Sequence, residues 1–205
     1  GSAPRRGKIN LEAGKIYSLK VEYKWEGRFP AVQIGMQAPD QFNLMDEAAA
    51  IAKDADAVIL IVGTNSDWET EGNDRDNLDL PSNQNELVET VCKLNSNTVV
   101  VLNTGSPCEM PWVDEANAIL QCWFPGQEFG NSLADILFGV VNPSGKLPTT
   151  FPKKLSDTPA FPTYPGKDMQ MDYEEGLFIG YRWYDREAIE PLFPFGHGLS
   201  YTTFE

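Results

Sequence analysis

The sequence has little of what usually builds a metal site, a disulfide framework or a contact with polyanions. It contains one histidine, His197, and three widely spaced cysteines without a Cys-x-x-Cys pair, namely Cys92, Cys108 and Cys122. A structural zinc site and a disulfide scaffold are therefore not expected. Basic residues number 16 against 30 acidic ones, which gives a net charge of −14. Because nucleic acids and anionic membranes attract mainly Lys and Arg, we expect neither as a partner.

Long apolar runs and nucleotide-binding motifs are also missing. No run approaches the roughly 20 apolar residues that cross a bilayer, and residues 1–7 contain no apolar signal core. No Gly-x-Gly-x-x-Gly pattern follows Gly63 or Gly105, so no cofactor is expected. We expect a soluble chain, either secreted or cytoplasmic, and these absences do not decide the compartment.

The first part of the chain has the pattern of antiparallel strands. Within residues 16–25, every second residue from Tyr17 to Trp25 is apolar and the residues between them are polar. Val32, Ile34 and Met36 alternate again after a turn at 26–28. Two strands do not form a stable unit by themselves. We therefore expect residues 1–38 either to be the end of a larger β structure or to pack against the residues that follow.

Between residues 39 and 160, helical patterns alternate with short, entirely apolar runs, which indicates a parallel sheet covered on both faces. We predict an α/β fold, a partial α/β/α sandwich with a mostly parallel sheet. The predicted elements are strands at 57–62, 98–102 and 118–123, and helices at 41–53, from residue 82 onward with Ser82 as N-cap, and from 126 to 139.

Regular patterns fade after Pro143, where Pro, Gly and aromatic residues become frequent. This composition is typical of an extended segment that aromatic side chains fix to a folded body. We predict that residues 143–205 form an irregular, aromatic-rich segment.

A long loop, residues 63–81, follows the first predicted strand of the sheet. In an open α/β sheet, ligands bind beyond the carboxyl ends of the strands, and long loops there usually serve a site. Residues 67–79 hold six carboxylates and one arginine. The simplest interpretation is a solvated acidic surface, which most charge runs are.

Two functional interpretations compete with that one. Asp67, Glu69, Glu71 and Gly72 match calcium-loop positions one, three, five and six, but Leu78 stands where the bidentate glutamate belongs. The alternative is acid/base catalysis, in which neighbouring charges and an apolar lid keep one carboxylate protonated. Trp68 is the candidate for that lid, or for stacking on a sugar.

Five ordered motifs stand out along the chain. They are ETEGNDR at 69–75 with LDLP at 78–81, WFPGQE at 123–128, NPSGKLP at 142–148, YEEGLFIGYR at 173–182 and FPFGHGLSY at 193–201. With these motifs the sequence resembles glycoside hydrolase family 3, the β-glucosidase family. The first 38 residues are similar to the closing strands of the protective-antigen-type β-sandwich that some of these enzymes carry.

The resemblance implies a domain order and a set of site residues. Members of this kind have a barrel with an aspartate nucleophile, then an α/β/α sandwich that supplies the acid/base glutamate, then an immunoglobulin-like domain. Residues 161–205 would lead into that last domain. The acid/base glutamate falls on Glu71, with Glu69 as its nearest rival. Asp74 and Arg75 would hold the loop through an ion pair with each other or with a neighbour, and Asn73 replaces the family's usual aromatic residue.

The implied activity is retaining hydrolysis of terminal β-D-glucosyl residues, with a nucleophile roughly 5 to 5.5 Å from the acid/base. Because no barrel fits in these residues, the chain alone is expected to be inactive and to need the rest of the enzyme as its partner. The substrate would be a β-glucoside or oligosaccharide, and homo-oligomerisation is left open. The alternative is a non-catalytic carbohydrate-binding or interaction fragment.

Overall fold

The computed structural model describes residues 7–24, 32, 34–36, 43–72 and 74–205. The chain divides into two compact units, Gly1–Gln41 and Phe42–Glu205. The predictions that involve Trp25, the turn at 26–28 and Asn73 lie outside the described residues, as does the beginning of the first predicted helix.

In the first unit, the strand predicted from residue 16 onward is not formed by residues 16–24. All side chains from 7 to 24 are exposed, with Ile16 fully so, and the local order is a turn in which the Lys15 N–H donates to the Glu12 carbonyl over 3.2 Å. An alternating pattern specifies a strand only when a neighbouring strand takes up its backbone hydrogen bonds. The described residues of this unit contain no such neighbour.

The second unit contains three strands and four α-helices in its described part. Their order along the chain follows the predicted alternation up to residue 137. The elements are α1 (Leu44–Asp54), β1 (Val58–Gly63), α2 (Gln84–Leu94), β2 (Thr98–Asn103), β3 (Ala118–Gln121), α3 (Phe129–Leu137), a 3-10 turn (Leu155–Asp157) and α4 (Tyr181–Glu187). None of these helices has the length and apolar character needed to cross a bilayer.

The strands form one parallel sheet in the order β1-β2-β3, which confirms the predicted α/β class. The central strand β2 has Val100, Val101 and Leu102 completely buried. On β1, by contrast, Ile59 and Ile61 are about half exposed, at 51% and 53%. Coverage of both faces, as predicted, is therefore complete only at the centre of the sheet in the described part of the chain.

The core combines residues from the sheet, α2 and the loops that follow. Its largest fully buried side chains are Trp112, Phe151 and Leu80. Leu80 closes the long loop after β1, while Phe151 lies far along the chain, so burial of the two ties both regions to the sheet. Buried side chains of this size dominate the stability of a small core.

The start of α2 differs from the prediction, because Ser82 is not its N-cap. Ser82 has a left-handed backbone, with φ of 58°, and Asn83 occupies the cap position without a capping side-chain bond. The first helical residue, Gln84, instead reaches the end of β1: its amide accepts from the Gly63 N–H over 2.7 Å and donates to the Gly63 carbonyl over 2.9 Å. These two hydrogen bonds between Gln84 and Gly63, called the clamp below, hold the start of α2 in place of a local N-cap bond.

After residue 143 the chain is mostly irregular, as predicted, but few of its aromatic side chains act as anchors. Phe151 and Tyr184 are buried, and Phe151 forms a β-bridge with Phe193. Phe161 and Tyr173 are among those that remain exposed. The short helix α4 was not predicted, and the indole N–H of its Trp183 donates to the Asp157 carbonyl over 3.1 Å.

Candidate functional site

The loop between β1 and α2 lies at the carboxyl end of the sheet. It starts with a compact turn, in which the Asn65 carbonyl accepts from the backbone N–H groups of Trp68, over 3.0 Å, and Glu69, over 2.8 Å. The Asn65 side chain also accepts from the Asp67 N–H over 2.9 Å. These bonds fix the backbone just before the Glu-Thr-Glu-Gly sequence.

Glu69 is built into the structure through one carboxylate oxygen. Its Oε1 accepts from the Thr64 hydroxyl over 2.5 Å and from the Gly105 N–H over 3.1 Å, and Arg75 Nη1 lies 4.0 Å away. Only 17% of its side chain is exposed. Glu69 therefore joins the end of β1, the segment after β2 and the far side of the loop.

Glu71, two residues further on, has the opposite environment. It is exposed, and it makes no hydrogen bond or ion pair with any residue in the described part of the chain. Gly72 beside it is exposed as well. Of the two candidate carboxylates, Glu71 is thus the one that an incoming ligand can reach.

Arg75 forms its ion pair with a neighbour, Glu69, which is one of the two predicted possibilities, and not with Asp74. Its Nη1 donates to the Ser106 hydroxyl over 2.7 Å and its Nη2 to the Asp79 carbonyl over 3.4 Å. Asp74 does not pair with it; the Asp74 carboxylate accepts from the Tyr164 hydroxyl, and this hydrogen bond raises the pKa of Tyr164. The two residues hold the loop from different sides.

Trp68 is half-buried, and its indole N–H is buried without a hydrogen-bond partner among the described residues. An N–H in that position cannot bind a sugar hydroxyl unless the loop moves. The role of Trp68 as a lid or a stacking platform stays a prediction.

The calcium-loop interpretation gains no support, because the described residues contain no group of three acidic, His or Cys side chains placed to hold a metal ion.

Sequence reasoning missed four residues of this site: Thr64, Gly105, Ser106 and Tyr164. Thr64 lies at the start of the same loop and holds Glu69. Gly105 and Ser106 act on Glu69 and Arg75 from 36 and 31 residues away, and Tyr164 contacts Asp74 from further along the chain. Gly105 lies two residues after the end of β2, so its position beyond the carboxyl end of a strand was the one available signal.

Cys108 lies buried beneath this loop, and burial raises its pKa from the ordinary 9.0 to about 12, with a smaller upward effect of Glu69 and a downward one of Arg75. Between pH 9 and 12 the unfolded thiol loses its proton while the folded one keeps it. We therefore expect the free energy of unfolding to fall with rising pH there, by up to about 1.4 kcal/mol per pH unit for this group.

Urea unfolding at pH 8, 9.5 and 10.5 measures this slope. The matched variant Cys108→Ala should have a shallower slope, with a remainder from Tyr184, whose pKa burial also raises to about 12. Equal slopes in the two proteins would contradict the assignment to Cys108.

The sequence matches one family model and several curated relatives, and all of them point to the same family. The sequence model of the glycosyl hydrolase family 3 C-terminal domain matches residues 12–201. The chain is 52% identical over 163 residues to the thermostable beta-glucosidase B of Acetivibrio thermocellus, which covers 80% of the chain and 22% of the relative. It is 45% identical over 214 residues to a beta-glucosidase of Kluyveromyces marxianus, which covers 100% of the chain and 25% of the relative. The chain thus spans about a quarter of these relatives.

Solved structures agree in fold. The beta-glucosidase of Kluyveromyces marxianus in complex with glucose is similar with a TM-score of 0.79 and 48% identity, over 83% of this chain and 20% of that one. The family 3 beta-glucosidase of Bifidobacterium adolescentis has a TM-score of 0.75 and 44% identity, over 82% of this chain and 25% of that one. From the match over residues 12–201 and these likenesses, the chain belongs to glycosyl hydrolase family 3 and corresponds to its C-terminal domain.

Proposed function

We propose that the chain is the acid/base-bearing portion of a retaining β-glucosidase, with Glu71 as the acid/base residue. The observation that carries this proposal is the difference between the two glutamates of the loop. Glu69 is 17% exposed and bonded through Oε1, whereas Glu71 is exposed and unpaired within the described residues. A proton donor must reach the glycosidic oxygen, and only Glu71 is free to do so.

In the first step the Glu71 carboxyl gives its proton to the glycosidic oxygen, while a carboxylate nucleophile attacks the anomeric carbon from the opposite face. The aglycone leaves as an alcohol, and the sugar stays on the nucleophile as an ester. In the second step the Glu71 carboxylate takes a proton from water, whose oxygen attacks the anomeric carbon and releases the sugar. Two displacements retain the anomeric configuration.

The nucleophile would come from a part of the enzyme outside these 205 residues. The family resemblance places it on a barrel domain, and the chain spans only about a quarter of relatives that are named beta-glucosidases. A carboxylate without its positioned partner loses the proximity on which the rate depends. The chain alone is therefore expected to be inactive, and a β-glucoside is the expected substrate of the whole enzyme.

An assay of an aryl β-glucoside tests this proposal. The full-length protein that contains this segment should hydrolyse it and release β-glucose first, as followed by proton NMR before mutarotation. The 205-residue chain at the same concentration should show no turnover above buffer. Release of α-glucose would contradict the retaining mechanism, and hydrolysis by the chain alone would contradict the division of the catalytic groups. Binding of glucoside without hydrolysis by the full-length protein would favour a non-catalytic carbohydrate-binding role.

A further inference from the structure

We propose that Glu69 is a positioning residue. Its carboxylate fixes the conformation of the loop and thereby holds the backbone of Glu71 in place. This inference rests on the proposed function of Glu71. It assigns to Glu69 a role that does not involve contact with substrate, and it explains why two glutamates stand so close together on one loop.

The contacts of Glu69 join three separate segments at a single oxygen atom. Thr64 directly follows β1, Gly105 lies two residues after the end of β2, and Arg75 lies on the far side of the loop. The backbone N–H of Glu69 is fixed in addition by the Asn65 carbonyl, over 2.8 Å. With both its main chain and its side chain held, Glu69 leaves only Thr70 between a rigid position and Glu71.

A charged side chain at position 69 holds the loop more strongly than a neutral one could. Hydrogen bonds to an ionised carboxylate are shorter and stronger than those between neutral groups. The side chains of Glu69 and Arg75 are only 17% and 14% exposed, so water screens their attraction incompletely. Loss of the carboxylate would leave the Gly105 N–H and the Thr64 hydroxyl without their acceptor.

Gly105 provides the space for this carboxylate. A Cβ atom at Gly105 would collide with Glu69 Oε2 and with the ring of Phe124. The backbone of Gly105 thus approaches the carboxylate more closely than any other residue type would allow. The variant Gly105→Ala is therefore a way to displace the Glu69 carboxylate without removing it.

A double-mutant cycle in the full-length enzyme that contains this segment tests the inference. We expect Glu69→Ala to lower kcat/KM for an alkyl β-glucoside about tenfold, and to cause no more than about a twofold further loss in a Glu71→Ala background. Glu69→Gln keeps one acceptor oxygen and should lose less than Glu69→Ala. Gly105→Ala should resemble Glu69→Ala. Asp76→Ala removes an exposed loop carboxylate that has no bonded partner among the described residues, and it should leave the rate unchanged.

Azide separates positioning from acid/base catalysis. Azide attacks the anomeric carbon of the glycosyl-enzyme, forming the C–N bond as the ester C–O bond breaks, and needs no proton removed. It should therefore restore turnover of an activated aryl glucoside by Glu71→Ala, with a glucosyl azide as product, and give no such rescue of Glu69→Ala.

Three results would overturn the inference: azide rescue of Glu69→Ala, an equal loss from Glu69→Ala in both backgrounds, or no loss from either Glu69→Ala or Gly105→Ala. If azide failed to rescue Glu71→Ala, the proposed function itself would fail. The two failures are therefore distinguishable in one set of assays.

Discussion

Replacement of Glu71 by glutamine should lower kcat for an alkyl β-glucoside by about 10²- to 10⁴-fold in the full-length enzyme, the range that general acid/base catalysis supplies. The amide has nearly the size of the carboxyl group but neither gives up a proton as readily nor accepts one from water. Because Glu71 is exposed and makes no bond within the described residues, the loop should keep its conformation. The kinetics would then report chemistry and not folding.

The leaving group provides the sharper measurement. An activated phenolate departs without a proton, so the first step should suffer much less with a dinitrophenyl glucoside than with an alkyl glucoside. The comparison of kcat/KM for the two substrates in Glu71→Gln and in the unmodified enzyme checks this. Asp76→Asn is the matched control for loss of one loop charge. An equal loss with both leaving groups would show that Glu71 is not the proton donor.

The sheet could be predicted from sequence because each of its strands contains a short apolar run. Val100 to Leu102 are completely buried at the centre of the parallel sheet, and the runs before and after pair with β2 in register. The start of α2 could not be predicted, since Ser82 is an ordinary N-cap residue in local sequence. The clamp between Gln84 and Gly63 spans 21 residues, and no local pattern reveals it.

In the candidate site, too, the local sequence predicted the loop but not the distant residues that contact it. Six carboxylates within thirteen residues identify an unusual loop, but in sequence Glu69 and Glu71 are chemically alike. What separates them is the Gly105 N–H, 36 residues away, which binds one and leaves the other free. The partner of Asp74 is more distant still, because Tyr164 lies in the irregular segment. The family resemblance favoured Glu71, and the contacts supply a physical reason.

The irregular segment was predictable as a whole but not in its anchors. Aromatic residues are frequent throughout it, yet burial depends on which ring reaches the existing core. Phe151 does so by packing against Trp123 and Phe193, with ring centroids 6.1 and 6.4 Å apart. Tyr173, with the same apolar character, is 79% exposed in this chain. Composition gives the number of aromatic rings but not their distance from the sheet.

Trp112→Ala should be the most destabilising single change in the core, lowering the free energy of unfolding by about 3–5 kcal/mol. Trp112 is 1% exposed, so its removal opens a large cavity in the cluster that also contains Leu80 and Phe151. Its indole N–H donates to Asn85 Oδ1 over 2.9 Å, and Asn85 in turn donates to the Asp79 carboxylate over 3.4 Å. The cavity would therefore also remove a support of the loop that carries Glu69 and Glu71.

Urea unfolding of the chain measures this loss, with two variants that separate its causes. Trp112→Phe keeps most of the packing and leaves Asn85 without its donor, so it should cost about 1–3 kcal/mol. Met169→Ala, at a fully exposed position, should change the free energy by no more than about 0.5 kcal/mol. A loss below about 1 kcal/mol for Trp112→Ala would mean that the core closes around the cavity. In that case Asp79 and Arg75 would depend on contacts other than Trp112, and the loop would be stable independently of the core beneath it.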